Sequence, residues 1–215
     1  AAGGEKFSLA LNSLLNVYAF YKKDKHSWDN TLTWNLGYLK TTSQGTRKND
    51  DRVEYISKYG YALSPKLNVS GLFDIRTQFF KGYNYPDATT KTYTSDFFAP
   101  AYIILSPGFD YHPVKNLSIF LSPATARWTI VKDTVLSTLY GVAPNKKSDF
   151  QFGAYASVNY LANLGKVVTY TGKLDLFSNY KHKPQNVDVY MTNLFAAKIS
   201  NVLAVTYSLT LIYDD

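Results

Sequence analysis

Cysteine is absent from this 215-residue sequence, and histidine (three residues) and methionine (one) are rare. The lack of cysteine excludes a disulfide framework, a thiolate nucleophile and a cysteine metal site. No apolar run reaches the roughly 18 residues of a transmembrane helix. The first residues, Ala1 to Gly4, lack the basic and apolar regions of a signal peptide. If the protein is exported, we expect that segment to have been removed already.

Charge is also scarce: 18% of the residues are charged, against about 25% in average soluble domains. The formal net charge is +7. The basic residues are scattered or grouped at turns, as in Lys22-Lys23 and Lys146-Lys147, and do not follow one face. No zinc-finger, helix-turn-helix or RNA-binding motif is present. We therefore predict no nucleic-acid partner.

Aromatic residues are abundant instead, at 16%, with 19 Tyr and 13 Phe. Such an excess is typical of β-structure or of a membrane interface. Alternation with period two is the strongest pattern and predicts β-strands. It is clear in five segments: 28–38, 67–79, 150–160, 168–180 and 203–213. It is looser in five more: 7–22, 52–63, 97–111, 117–131 and 187–199. In the segment 117–131 the phase is lost at Pro123, which predicts a bulge or bend there.

The connections alternate in length. Short turns are predicted at 23–26, 64–66, 112–116, 162–166 and 200–201, and longer polar loops at 41–51, 80–96, 132–148 and 181–186. Loop 132–148 carries apolar residues that favour a short helix or a contact patch. Ten strands joined in this way form an up-and-down antiparallel meander, which predicts an all-β, single-domain β-barrel over residues 1–215.

Two barrels fit this meander, a soluble lipocalin-like barrel with an apolar interior and a transmembrane barrel with an apolar exterior. Most segments are longer than the ~9–11 residues needed to cross a bilayer. Aromatic residues recur near the ends of the apolar faces, as in the interfacial girdles of membrane proteins. These residues are Tyr21, Trp28, Tyr38, Tyr61, Tyr111, Tyr160, Tyr170, Tyr180 and Tyr213. We therefore favour the transmembrane barrel.

The number of strands raises a question of parity. If the short turns are periplasmic, segments 7–22 and 202–213 both have their free ends outside the cell, whereas bacterial single-chain barrels close with both ends inside. We therefore expect one strand before residue 1 and one after residue 215, giving twelve strands in the complete barrel. Direct pairing of the two terminal segments would contradict that count.

Several motifs resemble a family of Bacteroidota outer-membrane proteins catalogued as domain of unknown function 3078. They are Ala2-Gly3-Gly4-Glu5, Lys25-His26-Ser27-Trp28-Asp29-Asn30, Gly82-Tyr83-Asn84-Tyr85-Pro86-Asp87, Phe98-Ala99-Pro100-Ala101-Tyr102, Asp175-Leu176-Phe177-Ser178-Asn179-Tyr180, Pro184-Gln185-Asn186-Val187-Asp188-Val189 and Leu211-Ile212-Tyr213-Asp214-Asp215. The resemblance covers essentially the whole chain. It implies an outer-membrane β-barrel in the envelope of a Gram-negative bacterium, and it supplies no activity or catalytic residue.

The three histidines are the candidates for the catalytic base of a membrane hydrolase. His26, His112 and His182 all lie in predicted connections, far apart in the chain. Ser27 is adjacent to His26, and neighbours on a strand point to opposite faces. No Gly-x-Ser-x-Gly motif occurs. We therefore predict no catalytic residue, no metal site and no cofactor, since zinc needs clustered donors.

Polar residues on the other face of each strand are predicted to line the barrel lumen. They are Asn12, Asn16, Thr33, Asn35, Glu54, Lys58, Asp74, Arg76, Gln78, Gln151, Asn159, Lys173, Asp175, Thr206 and Ser208. The charges among them either tune the ion selectivity of a channel or neutralise one another. Three bulky residues, Tyr102, Tyr155 and Phe80, are predicted to face inward and favour a constricted lumen over an open pore.

Tyrosines in the loop 80–96, namely Tyr83, Tyr85 and Tyr93, form the most aromatic exposed stretch. They are candidates for contact with a sugar or a partner protein, or for a lid over the barrel mouth. The sequence as a whole predicts a non-enzymatic outer-membrane barrel, a structural or accessory subunit of an envelope complex. A narrow solute conduit and an outer-membrane hydrolase are the alternatives. The expected partners are membrane lipid, lipopolysaccharide and other envelope proteins.

Overall fold

The computed structural model describes residues 6–87, 90–200 and 202–213. Ten strands form one antiparallel sheet, and each strand pairs with the next one of the sheet along the chain. These strands are β1 (Ser8–Lys23), β2 (His26–Thr41), β3 (Gly45–Ser64), β4 (Leu67–Thr77), β7 (Ala101–Val114), β8 (Leu117–Ile130), β9 (Ser148–Leu164), β10 (Val168–Asn179), β11 (Val187–Lys198) and β12 (Ala204–Tyr213). The predicted ten-stranded all-β meander is confirmed.

Two smaller elements lie between the long strands at the end opposite the short turns. The strands β5 (Gly82–Asn84) and β6 (Thr92–Ser95) form a separate hairpin between β4 and β7. A 3₁₀ helix, η1 (Thr134–Tyr140), lies between β8 and β9. The short helix predicted in the loop 132–148 is therefore confirmed.

The sheet has two edges in the described part of the chain, β1 and β12, which do not pair with each other. The direct pairing that would contradict a twelve-stranded barrel is thus not seen in those residues. Both faces of these two strands are exposed along their full described length.

One predicted loop is wrong. The segment 41–51 consists mostly of strand, since β2 continues to Thr41 and β3 begins at Gly45. Its polar residues pair across the ladder, and the register shifts once, between Gly37 and Tyr38. The residues of this segment are polar on both faces of the hairpin. It therefore shows no alternation of apolar and polar residues that would predict a strand.

A bulge occurs where Pro123 predicted one. The register of β8 with β9 shifts between Ser122 and Thr125. Proline has no backbone N–H to donate to the ladder, and the pairing resumes after it. The phase of the alternation differs on the two sides of this bulge, which is why the segment 117–131 had no single apolar face.

A small apolar core holds the loops together at the long-loop end. It consists of Ala99, Val131, Leu136 and Val142, with Tyr93 and Tyr140 packed against it. The Tyr140 hydroxyl donates to the Thr94 carbonyl over 2.6 Å, which ties η1 to β6. Burial raises the pKa of Tyr140, so this hydroxyl keeps its donor proton over the physiological range.

A buried carboxylate anchors the β5–β6 hairpin to the sheet. Asp51 accepts hydrogen bonds from Lys48 Nζ (2.7 Å) and from the backbone N–H groups of Phe79 and Phe80. Lys48 also donates to Gln78 Oε1, which accepts from Ser95 Oγ over 2.7 Å. The hairpin is therefore fixed to β3 at its start and end.

Candidate binding site on the concave face

The register assigns the polar side chains of neighbouring strands to one face. Glu54 lies opposite Thr33 of β2 and Arg76 of β4, and Asp175 lies opposite Ser157 of β9. Following the pairs from strand to strand puts on this face all the predicted lumen residues that lie within strands. These are Asn12, Asn16, Thr33, Asn35, Glu54, Lys58, Asp74, Arg76, Gln151, Asn159, Lys173, Asp175, Thr206 and Ser208.

Two further predicted residues lie beyond the end of β4. Gln78 takes part in the network that anchors the hairpin. Phe80 was predicted to narrow the lumen, but its ring packs near that of Phe79, with centroids 6.2 Å apart. The carbonyl of Phe80 accepts from Lys48. The strand has ended before this residue, so the alternation no longer decides where its side chain points.

The polar face is concave. Arg127 of β8 donates to Asp188 of β11 over 2.7 Å, across the two strands that lie between them. A cavity of about 490 Å³ lies on this face and is lined by residues from both halves of the sheet, β3 and β4 on one side and β10 to β12 on the other. The sheet is therefore strongly curled around its polar face.

Charges of both signs line this cavity in equal number. Its basic residues are Arg52, Arg76, Arg127 and Lys173, and its acidic residues are Glu54, Asp74, Asp175 and Asp188. The site is formally neutral and dense in charge. Such a lining suits a polar ligand that carries both signs better than it suits an ion of either sign.

Three of these basic residues have an acidic partner. Arg52 pairs with Glu54, Arg127 with Asp188, and Lys173 with Asp175 over 3.0 Å. The Tyr155 hydroxyl also donates to Asp175, over 2.9 Å. These pairs favour the second alternative for the lumen charges, that they neutralise one another, because a charge removed from bulk water needs a partner.

Asp74 and Arg76 differ from the other charges. Asp74 Oδ1 is buried and has no hydrogen-bond partner in the described residues. The Arg76 guanidinium belongs to none of the ion pairs seen there and lies over the Tyr102 ring, 5.2 Å from its centroid. These two side chains are the candidates for contact with a ligand.

A second polar cluster lies near the short-turn end. Asp110 accepts from Ser118 Oγ over 2.9 Å and pairs with Lys58 and with His112, whose Nε2 is 3.2 Å from it. Lys58 therefore pairs with Asp110 rather than with Glu54. Asp110 contacts both the serine and the histidine. In a catalytic triad the histidine contacts the serine directly, so this cluster does not have the order of a triad.

The other two histidines lie apart from this cluster. His26 Nδ1 is 2.6 Å from the Tyr59 hydroxyl, and His182 lies in the exposed β10–β11 turn. No group of three or more potential metal ligands occurs in the residues that the structure describes. In the same residues, no helix has the length and apolar character to cross a membrane.

The convex face carries the apolar side chains, and many of them are exposed. Leu105 is 48% exposed, Leu121 51% and Leu209 49%. Aromatic residues occur on this face at two levels. The level at the short-turn end comprises Tyr21, Trp28, Tyr59, Tyr61, Tyr111, Tyr160, Tyr170, Phe195 and Tyr207, and the level at the long-loop end comprises Trp34, Tyr38, Trp128, Phe150, Phe152, Tyr180 and Tyr213.

Two asparagines of the convex face have neutral hydrogen-bond partners. Asn30 Oδ1 accepts from the Tyr55 hydroxyl (2.8 Å) and from Ser57 Oγ (2.9 Å). Asn193 Oδ1 accepts from the Tyr170 hydroxyl over 2.6 Å. These two amide oxygens need no hydrogen bond from water, because each of them has a side-chain donor.

The predicted loop tyrosines belong to the β5–β6 hairpin. Tyr83 and Tyr93 pair across its strands, with ring centroids 5.7 Å apart. A basic side chain covers two of the rings: Lys91 Nζ is 3.7 Å from the centroid of Tyr83, and the Arg47 guanidinium is 3.9 Å from that of Tyr85. These rings are half-buried and packed, which fits a lid better than a free loop.

The charged residues of the concave face that the sequence analysis did not select include Arg52, Asp110, Arg127 and Asp188. Asp110 lies on the polar side of the alternation in the segment 97–111, so the sequence contained the signal that would have identified it. Arg127 follows the bulge at Pro123, which changes the phase of β8. Asp188 lies in the strand whose alternation was ambiguous.

The chain is thus an all-β protein built on one curled, antiparallel, ten-stranded sheet with a charged concave face. Residues 1–83 match the family described as "Protein of unknown function (DUF3078)". This match confirms the resemblance to domain of unknown function 3078 over β1 to β4 and the start of the hairpin. Searches of curated proteins and of solved structures gave no match.

Proposed function

We propose that this protein is a bacterial outer-membrane β-barrel without enzymatic activity that serves as a structural or accessory subunit of a cell-envelope complex. One observation carries the proposal: the exposed apolar face of the curled sheet is convex and the charged face is concave. A soluble barrel has the opposite arrangement, since its apolar side chains fill its interior. Lipid is the solvent that suits an apolar exterior.

The spacing of the two aromatic levels supports this proposal. Trp28 and Tyr38 are ten residues apart on β2, and Tyr170 and Tyr180 have the same spacing at β10. Ten residues of strand extend about 33 Å, which becomes about 25 Å along the axis of a barrel whose strands are tilted by about 40°. An apolar band of that height between aromatic girdles matches a bacterial outer membrane.

Closure of the barrel belongs to the same proposal. The edges β1 and β12 carry unpaired backbone groups, and each such group costs several kcal/mol in hydrocarbon. Two further strands between β12 and β1 would pair both edges and give twelve strands. They would also put both ends of the barrel on the short-turn side, which is the periplasmic side of bacterial barrels.

The partners proposed for this barrel are membrane lipid, lipopolysaccharide and other envelope proteins. Basic residues are frequent in the long-loop end, including Lys132, Lys146, Lys147 and Lys181. At an outer-leaflet surface these ammonium groups would lie near lipid phosphates. Purification in mild detergent should recover the protein together with other envelope proteins if it is a complex subunit.

Neighbouring residues of one strand provide a direct test of orientation, and the absence of cysteine makes single-cysteine labelling clean. Leu32→Cys and Thr33→Cys are matched variants on opposite faces of β2, and Met191→Cys and Thr192→Cys are matched variants on β11. In lipid vesicles, a water-soluble maleimide should label the Thr33 and Thr192 variants at least tenfold faster than the Leu32 and Met191 variants. Equal rates, or detergent-free solubility of the protein, would contradict the proposal.

The second candidate is a narrow conduit for small solutes, which the mixed-charge cavity favours. Conductance in planar bilayers separates the two functions. A subunit whose lumen is blocked by side-chain ion pairs should give no steady openings. Ohmic openings from the purified protein would favour the conduit.

A further inference from the structure

We propose that Asp74 and Arg76 bind a small zwitterion, an amino acid or a short peptide, in the cavity on the concave face. This inference rests on the proposed function in one respect, since the cavity becomes a lumen only when the barrel is closed. The ligand's ammonium group contacts the Asp74 carboxylate, and its carboxylate contacts the Arg76 guanidinium.

The charges around this pair narrow the choice of ligand. Arg52–Glu54, Arg127–Asp188 and Lys173–Asp175 neutralise one another within the cavity lining. An incoming anion or cation would have to break one of these pairs to gain a contact with it. Neither Asp74 nor Arg76 belongs to an ion pair in the described residues, so a ligand that binds them leaves these three pairs intact.

The Asp74 carboxylate lacks a hydrogen-bond donor for one of its oxygens in the described residues. Its Oδ1 is buried and accepts no hydrogen bond from the described part of the protein. A buried acceptor without a partner costs about 1–3 kcal/mol, and more when it is charged. A ligand ammonium supplies three donors.

Arg76 is arranged to receive an anion. Its guanidinium is exposed within the concave face and lies over the Tyr102 ring, 5.2 Å from the centroid. A cation–π contact of this kind positions the guanidinium, and no ion pair in the described residues involves it. A carboxylate is the anion that this planar fork binds in a bidentate manner.

The backbone spacing of the two residues suits a ligand that carries both charges. Residues two apart on a strand are separated by about 6.6 Å and point to the same side. The cavity volume, about 490 Å³, lies within the roughly 300–1,000 Å³ of small-molecule sites. A single amino acid and a dipeptide both fit these limits, and their shared chemistry is a free ammonium with a free carboxylate.

Four labelled probes test the proposal by equilibrium dialysis against the full chain in detergent micelles. L-alanine and L-alanyl-L-alanine carry both charges, N-acetyl-L-alanine lacks the ammonium, and L-alaninamide lacks the carboxylate. At least one of the first two should bind saturably, and at least tenfold more tightly than either of the last two. The tighter of the two zwitterions identifies the ligand as an amino acid or a peptide.

Two variants assign each charge to its residue. Asp74→Asn should weaken binding of the zwitterion at least tenfold and leave the residual binding of N-acetyl-L-alanine unchanged. Arg76→Gln should do the same for the zwitterion and leave that of L-alaninamide unchanged. Asp24→Asn and Lys115→Gln, in exposed turns, are the matched controls and should bind as the parent does.

Heat modifiability on gels, the mobility shift of a folded barrel, is measured on every sample. A protein that shows the shift but binds none of the probes saturably overturns the zwitterion site and leaves the barrel intact. Equal affinity for all four probes, or parental affinity in both variants, also overturns it. A protein without the shift contradicts the proposed function instead, so the two failures are distinguishable.

Discussion

The two faces of the sheet are made from the same strands and differ in the partners of several polar groups. On the concave face, carboxylates meet arginine and lysine, as in the pair of Arg127 with Asp188. On the convex face, amide oxygens meet tyrosine hydroxyls, as in the pair of Asn193 with Tyr170. A charge needs a partner and nearby water, whereas a neutral hydrogen bond survives in hydrocarbon. This difference is the one expected from the proposed orientation, with water on the concave face and lipid on the convex face.

The largest expected effect on the free energy of unfolding comes from removing the charge of Asp110, which lies at the centre of the second polar cluster. Asp110→Asn removes the charge that Lys58 and His112 face and that Ser118 donates to. Breaking a buried pair by removing one partner costs about 3–5 kcal/mol. Urea unfolding in lipid vesicles should show that loss in the free energy of unfolding.

Asp24→Asn provides the control for this measurement, since Asp24 lies exposed in the β1–β2 turn with a φ of 52° that asparagine tolerates. It should change the free energy of unfolding by less than about 0.5 kcal/mol. Equal effects of the two substitutions would mean that the cluster does not stabilise the concave face.

A charge introduced on the convex face should have the next largest effect. Leu105→Arg puts a guanidinium in the middle of the proposed apolar band, where an arginine costs about 2–4 kcal/mol. Val114→Arg, at the short-turn end of the same strand, should cost about 0–1 kcal/mol. Unfolding of both variants in vesicles measures the difference. A solvated convex face would accept both arginines equally.

The smallest effect concerns one neutral hydrogen bond of the convex face. Tyr170→Phe leaves Asn193 Oδ1 without the donor that it has at 2.6 Å, and should cost about 1–2 kcal/mol. Tyr207→Phe removes a hydroxyl from an exposed side chain of the next strand but one and should cost less than about 0.5 kcal/mol. The same unfolding assay compares them, and a reversed order would refute this account of the face.

The sequence predicted the strands of the sheet well because the signals for them lie within each strand. Alternation at Trp28 to Tyr38 and at Val168 to Tyr180 reports directly which side chains share a face. Pro123 located a bulge for the same reason, since the missing N–H acts within its own strand. The loop at 41–51 was wrong because a hairpin that is polar on both faces carries no alternation.

The candidate site was harder to predict than the strands. Asp74, Arg76, Lys173 and Asp175 were selected from their position on the polar face. The pairing of Arg127 with Asp188 was not foreseen, because these residues are 61 positions apart and lie on strands whose phase was broken or ambiguous. Only the curvature of the sheet brings them together.

The sequence by itself determined the strands, their order and the apolar and polar face of each, since these follow from turn lengths and from a period of two. The tertiary structure decided which face is concave and which charges meet there, and among the residues it describes it gives Asp74 Oδ1 no hydrogen-bond partner. Curvature and long-range pairing depend on how ten strands twist and stagger together. No single strand carries that information.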